Sequence, residues 1–427
     1  MPVDDPIAAL LDGVYRDPDG GGLLAAASRS VVIGDSLDGR EVELVGALDL
    51  GPRLAVVGDD DTFAALGDRV ARALASRFTV QRISLGEAPY ADSETILRLG
   101  AAIEPGIDAI VAVGSGTLND LCKMAALARG CPQLVFATAP SMNGYTSLSA
   151  SITEAGVKRS VRAATPLGVF FDLGVLARAP IRLIRAGLGD SICRPTAQAD
   201  WLLSHLLFDT PYREAPFALL AGDEPGLFAE ARGLVSGDLA VMRRLVRTLV
   251  LSGFGMTICG GSYPASQGEH LLSHYVEMMS PPELPETLHG EQIGVAALAI
   301  ARLQDTLLAS DAPPRLRPTA VDRADVLAHF GPALGDACWR EFAPKRLDPA
   351  MADALNARLA SQWDAIRARL SAVALGAPAM SSVLSAAGAA RTPDDLGWPP
   401  AFFAAAMTHA REIRNRYTFL DFAGDLA

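Results

Sequence analysis

The sequence predicts two domains: an α/β domain on a parallel sheet over residues 1–177, then an all-α domain over residues 178–427. Three observations carry this. The first part alternates apolar runs of four or five residues with amphipathic stretches of helical period. Beyond Leu176-Ala177-Arg178-Ala179-Pro180, Ala, Leu and Arg dominate and helix-period segments follow one another without a convincing strand. A chain of 427 residues is also too long for one compact core.

In order, Asp17–Gly22 is a glycine-rich turn, and Ser30–Leu48 reads as a hairpin or an edge extension. Leu54–Val57 is a strand ending at Gly58, and Phe63–Phe78 a helix. Thr79–Ser84, Ala109–Val113 (stopping at Gly114) and Leu134–Ala137 are further strands. Short apolar strands separated by helices indicate a parallel sheet covered on both faces. The helices expected afterwards are Asp190–Leu207, Pro225–Ser252 with a break near Gly237, Ser266–Met279, Glu291–Leu308, Arg323–Phe330 and Met351–Ala372. Ser310–Pro318 is a loop within this half. No internal repeat is present.

Half the residues are apolar, a fifth are charged and the net charge is −12. With no basic block to neutralise phosphates, the chain is not expected to bind nucleic acid; a small anionic substrate in a locally basic pocket remains compatible. Met1-Pro2-Val3-Asp4-Asp5 has neither the basic nor the apolar region of a secretory signal. No window reaches the roughly 20 apolar residues needed to span a bilayer. Five cysteines without CxxC spacing read as reduced, small apolar side chains. The expectation is a soluble cytoplasmic protein with no membrane partner, either monomeric or a homo-oligomer.

Chemistry concentrates at four places. The third of these strands runs into Gly114-Ser115-Gly116-Thr117-Leu118-Asn119-Asp120, and a helix follows. A small-residue turn before a helix N-terminus lets backbone N–H groups approach a pyrophosphate, although a plain tight turn would look the same. The fourth strand leads into Thr138-Ala139-Pro140-Ser141-Met142-Asn143-Gly144-Tyr145-Thr146-Ser147, again at the strand end where open α/β sheets bind ligands. Asp190 in Gly187-Leu188-Gly189-Asp190 stands at an expected helix start, where it would either cap the helix or serve as a carboxylate ligand. Arg194, one turn on, would then lie beside it. Finally, His270, His274 and His289, three of the six histidines, fall within twenty positions. His270 and His274 share a helix face, and imidazole is the commonest ligand of a catalytic divalent metal. His205, His329 and His409 read as structural.

Taken in order, GSGTLND, TAPSMNGYTS, GLGD…ADW, GGSYPASQGEHLLSH and LHGEQIGV resemble the sn-glycerol-1-phosphate dehydrogenase family over roughly residues 50–300. That family belongs to the iron-containing-type alcohol dehydrogenases, which include glycerol dehydrogenase and are akin to dehydroquinate synthase. The resemblance implies a dehydroquinate synthase-like fold with a Rossmann-like first domain, a place in phospholipid metabolism, and NAD(P) with one divalent metal as cofactors. The metal would be zinc, with nickel, iron or manganese as alternatives. It places the ligands on Asp190, His270 and His289, and a substrate contact on His274. Gly114, Ser115, Gly116, Thr117 and Leu118 match the dinucleotide phosphate loop; Thr138, Ala139, Pro140, Ser141 and Ser147 match further cofactor contacts. Asp59 or Asp60 falls in the adenosine region. The family usually carries Asp, as SMDGYTS, where this chain has Asn143, which removes a charge beside the substrate.

The implied activity is an NAD(P)-linked, metal-dependent interconversion of a polyol phosphate and its ketone, in the first instance sn-glycerol 1-phosphate and dihydroxyacetone phosphate. Asp190, His274 and Asn143 are the candidate catalytic residues, and Lys158, Arg159 and Arg194 the candidates for the substrate phosphate. The alternatives are a relative acting on another polyol, a dehydroquinate synthase-like cyclase, and a nucleotide-binding protein without turnover.

Overall fold

The computed structural model describes residues 5–154 and 157–427, the side chains of residues 157–159 excepted. The strands that matter below are β1 (Ser30–Gly34), β2 (Arg53–Gly58), β3 (Thr79–Ser84), β4 (Ala109–Gly114), β5 (Gln133–Ala137), β6 (Ser149–Glu154), β7 (Val157–Arg162) and β8 (Gly168–Asp172). The longer helices are α1 (Gly116–Arg129), α2 (Ile181–Ile192), α3 (Arg194–Phe208), α4 (Leu239–Ile258), α5 (Gly268–Met279), α6 (His289–Leu308), α7 (Arg323–Phe342) and α8 (Pro349–Val373). The chain forms two compact units, each discontinuous in sequence: residues 1–191 with 214–261, and residues 192–213 with 262–427.

The first unit is built on a six-stranded parallel sheet in the order β1-β8-β5-β4-β2-β3. Every residue of β4, β5 and β8 is buried, as expected of strands covered on both faces. Leu54, Val56, Val111, Val113, Leu134, Phe136 and Phe170 pack on one face against Leu66, Val70 and Leu74 from the helical segment after β2. From β2 the chain moves outward to β3, then returns to β4 on the other side of β2. The carboxyl ends of β2 and β4 therefore flank the point where strand order reverses, the crevice in which open α/β sheets take ligands.

Two expectations are revised here. Ser30–Gly34 is a parallel edge strand on β8, and Glu41–Gly46 is a helix, so no hairpin forms between Ser30 and Leu48. Strand β8 and the antiparallel hairpin β6–β7 were not expected from the sequence. Helix α4 belongs to the sheet-containing unit: Arg243 donates to the Ile33 carbonyl at 2.7 Å, and Thr146 Oγ1 donates to the Val250 carbonyl at 2.8 Å.

The second unit is helical. Leu202, Leu203 and Leu207 of α3 pack with Leu359, Trp363, Ile366 and Leu370 of α8 and with Phe419 and Phe422. Leu271, Leu272 and Tyr275 of α5 pack with Ala296 and Ile300 of α6 and with Phe342 of α7. Helix α7, expected to stop at Phe330, resumes beyond a break at Gly331, whose φ of 75° is open to glycine and strained for other residues. Pro332 then sits where a helix start tolerates its missing N–H. Among the described residues no helix is long and apolar enough to cross a membrane.

Candidate active site

In the first unit, two small-residue loops lie side by side because their strands do: Gly114 pairs with Ala137 in the sheet. They are also tied directly, the Thr138 N–H donating to the Gly114 carbonyl at 3.1 Å. Gly114 is required sterically, since a Cβ there would stand 2.3 Å from Leu118 Cδ1. Helix α1 begins at Gly116, and the Ser115 side chain makes no capping bond. The first N–H groups of a 14-residue helix thus point outward beside the strand-order reversal, a setting suited to an anion. Asp59 caps the short helix after β2, and Asp60 accepts the Ser84 hydroxyl at 2.8 Å; both stand at the end of the strand next to β4.

Sequence reasoning missed Lys123. Its fully buried Nζ donates to the carbonyls of Gly144 (2.7 Å), Ser147 (3.0 Å) and Ser149 (3.0 Å) and to Ser147 Oγ (3.2 Å). Burial pushes this amine down to about 8, while Asp120 pulls the other way. The residue latches α1 to the loop after β5. A lysine on an otherwise apolar helix face was the only sequence signal available.

That loop is held in place by glycines on two helices. A Cβ on Gly187 of α2 would stand 1.6 Å from the Pro140 carbonyl oxygen, and one on Gly253 of α4 2.2 Å from Thr146 Oγ1. The close approach at Gly187 brings Asp190, 2 % exposed, to the loop, where its Oδ2 accepts the Asn143 backbone N–H at 2.6 Å. Asp190 lies in the last turn of α2, not at a helix start, so the N-cap reading is withdrawn. The Asn143 side chain is buried, and its Nδ2 has no hydrogen-bond partner among the described residues.

In the second unit, α5 and the start of α6 bring the three histidines together. The ring centroids of His270 and His289 are 5.2 Å apart, those of His270 and His274 6.1 Å, and those of His274 and His289 6.3 Å. Each ring is held through Nδ1. His270 Nδ1 is 2.8 Å from Glu269 Oε1, His274 Nδ1 is 3.3 Å from Glu277 Oε2, and His289 Nδ1 is 3.3 Å from Ser273 Oγ. The Ser273 hydroxyl proton goes to Gln292 Oε1 at 2.6 Å, so Ser273 accepts from His289. With the proton on Nδ1, the lone pair sits on Nε2, the ligating atom. Two imidazoles so prepared are borderline donors of the kind a catalytic divalent metal takes.

His274 is kept neutral: burial drives it down to about 3 against the opposing pull of Glu277. Glu269 is fully buried, and its carboxyl is raised to about 7 by burial. Cys193 Sγ, a Glu269 oxygen and a His270 nitrogen lie within 4.8 Å of one another.

The remaining candidates divide. Cys193 interrupts the helix expected from Asp190 to Leu207, and Arg194 opens α3 with its Nη1 2.5 Å from Gln198 Oε1; it is not one turn along a continuous helix from Asp190. Lys158 and Arg159 are on β7, and their side chains fall outside those described. His205 bonds the Thr210 carbonyl. His329 and His409, far apart in sequence, stack at 3.6 Å rather than standing singly. Among the described residues no disulfide joins the cysteines.

Residues 32–180 match the model of the iron-containing alcohol dehydrogenase family. The chain is 30% identical over 382 residues to glycerol-1-phosphate dehydrogenase [NAD(P)+] of Geobacillus stearothermophilus, covering 88% of this chain and 87% of that one. It is 32% identical to the protein of the same name from Pyrococcus furiosus, covering 69% and 86%. The chain belongs to the glycerol-1-phosphate dehydrogenase family. It is an oxidoreductase of the iron-containing alcohol dehydrogenase type. Sulfoacetaldehyde reductase from Bifidobacterium kashiwanohense, solved with NAD+, shares the fold at a TM-score of 0.59 and 13% identity, covering 95% of this chain and 98% of that one. Glycerol dehydrogenase from Schizosaccharomyces pombe does so at 0.55 and 15%, covering 88% and 94%.

Proposed function

We propose that this chain interconverts sn-glycerol 1-phosphate and dihydroxyacetone phosphate with NAD(P)(H) at a divalent metal. The observation that carries the reading is the imidazole pair, His270 and His289, each with Nδ1 engaged and so prepared to ligate through Nε2. Asp190, His270 and His289 would hold the ion. Zinc is the first expectation, with nickel, iron and manganese compatible with the same donors. When bound, the ion supplies Lewis acidity toward the oxygen on the reacting carbon.

The chain's own residues do the rest. The N–H groups of Gly114, Ser115, Gly116, Thr117 and Leu118 receive the pyrophosphate at the start of α1. Thr138, Ala139, Pro140, Ser141 and Ser147 line the cofactor, and Asp59 or Asp60 meets its adenosine end. Asn143 offers the substrate a neutral hydrogen-bonding group. His274 contacts the substrate and helps deliver the proton during ketone reduction. Lys158, Arg159 and Arg194 are the cations for the substrate phosphate. Functionally, residues 1–177 serve the dinucleotide and lend Asn143, Lys158 and Arg159 to the substrate, and residues 178–427 serve the metal and substrate.

The test is nicotinamide oxidation or reduction with purified, metal-analysed protein, using both NAD(H) and NADP(H). Substrates are dihydroxyacetone phosphate, glycerol 1-phosphate of each stereochemistry, dihydroxyacetone and glycerol. Turnover confined to unphosphorylated polyols, or none with any polyol pair, would overturn the substrate assignment.

A further inference from the structure

We infer that Glu269 is a positioning residue for the metal centre: its carboxylate holds the Nδ1 proton of His270 and so aims and strengthens the opposite nitrogen as a metal donor. This rests on the metal reading above. Glu269 and His270 are neighbours in the first turn of α5, with Oε1 and Nδ1 2.8 Å apart. The carboxylate is fully buried; Arg416 acts on it from a distance, but among the described residues no lysine or arginine stands within ion-pair distance of it. Its Oε1 also accepts the Gln267 N–H at 2.8 Å, whereas Oε2 has no hydrogen-bond partner among the described residues.

A purely structural role explains this poorly. The start of α5 is already anchored by Asp200, which accepts the Gly268 N–H at 2.9 Å and the Phe419 N–H at 2.7 Å. A second buried carboxylate beside Asp200 adds repulsion and desolvation cost. A cation on the far side of the His270 ring offsets that cost, and the carboxylate in turn raises the basicity of the imidazole toward the ion. Among the described residues no carboxylate reaches His289 at hydrogen-bond distance: its Nδ1 meets a serine hydroxyl, and Glu277 stands 3.8 Å away. The two histidines are therefore unequal ligands, with His270 the stronger donor.

The experiment compares the full-length parent with Glu269→Gln, Glu269→Met and His270→Ala. Each is stripped of metal and titrated with Zn2+ against a chromogenic chelator, then with Co2+ while the visible spectrum is recorded. Both Glu269 variants remove the buried charge; Glu269→Gln keeps an acceptor for the Gln267 N–H and its apo protein should melt close to the parent, whereas Glu269→Met strands that N–H and should melt lower. Their Zn2+ affinity should nonetheless fall 10- to 100-fold, with a shifted Co2+ spectrum, and His270→Ala should lose binding altogether. Parent-like affinity and spectrum in both Glu269 variants, with binding lost in His270→Ala, would reduce Glu269 to a packing residue. An intense thiolate-to-cobalt band in the parent would also overturn the inference, because Cys193 and Glu269 would then be ligands themselves. Unchanged binding in His270→Ala would instead defeat the metal reading on which the inference stands.

Discussion

At position 143 one residue does two separable things. Its backbone N–H holds Asp190 at 2.6 Å, and its side chain presents a buried amide whose Nδ2 has no hydrogen-bond partner among the described residues. Asn143→Asp preserves the first and brings a second carboxylate close to Asp190. Two buried like charges raise one pKa, so the pH–rate profile should move. Affinity for a phosphorylated substrate should fall by about tenfold to a hundredfold, the worth of one charged hydrogen bond at roughly 1.5–3 kcal/mol. Steady-state kinetics on phosphorylated and unphosphorylated polyols checks this; an unchanged profile and preference would make the position electrostatically silent. For the proposed metal ligands, His270→Ala or His289→Ala should abolish turnover and strip the metal while far-ultraviolet circular dichroism stays that of the parent. Full metal content with normal activity in both variants would contradict the assignment.

Among the elements, the start of α1 is the most exacting. Gly116 has room for a β-carbon, the nearest atom being Met142 Sδ at 3.4 Å, so Gly116→Asp should fold. Its carboxylate would then face the pyrophosphate and weaken NAD(H) binding severely, as read by nicotinamide fluorescence titration. Unaltered affinity would leave the loop as a turn and nothing more. The Lys123 latch has its own signature. Its folded pKa of about 8 lies below the ordinary 10.5, so between these pH values the folded chain binds fewer protons than the unfolded chain. The sign is therefore positive: the residue's contribution to stability grows with pH across this window, by up to about 3 kcal/mol. Urea unfolding at pH 7.5 and 10 should show this gain in the parent and lack it in Lys123→Met. The variant should also bind NAD(H) more weakly at neutral pH, because the Gly144, Ser147 and Ser149 carbonyls lose their common donor.

On the scale of the whole molecule, the last hundred residues complete the helical unit. Lys345 and Asp421 form a buried pair at 2.8 Å, with burial lowering the amine and raising the carboxyl, and Arg411 meets Asp425 at 2.9 Å. Breaking a buried pair from one side is costly. Lys345→Ala should lose about 3–5 kcal/mol in chemical denaturation, whereas joint Lys345→Met and Asp421→Leu replacement should lose far less. Equal losses would mean that packing, not the stranded charge, governs this corner.

The α/β-then-helical order, the small-residue loops at strand ends and the family were legible along the chain, because each rests on local periodicity or on residues close in sequence. Gly114 to Leu118, Thr138 to Ser147 and the span from His270 to His289 are such stretches. Other features lie between segments that no local pattern connects. Helix α4 has an apolar face, but periodicity does not say that this face belongs with the sheet; Gly253 against Thr146 and Arg243 on β1 decide it. Asp190 looked like a helix cap because glycines precede it, yet Gly187 serves close packing on Pro140 and the helix runs through. His329 and His409 stack across eighty residues of sequence. Lys123 carried no motif and Glu269 stood inside GGSYPASQGEHLLSH without a role; each takes its meaning from acceptors or charges that burial places around it. Sequence alone determined which residue types were present and their local spacing. Tertiary packing decided which of them share a dry environment, where a single unpaired charge or missing β-carbon outweighs any local propensity.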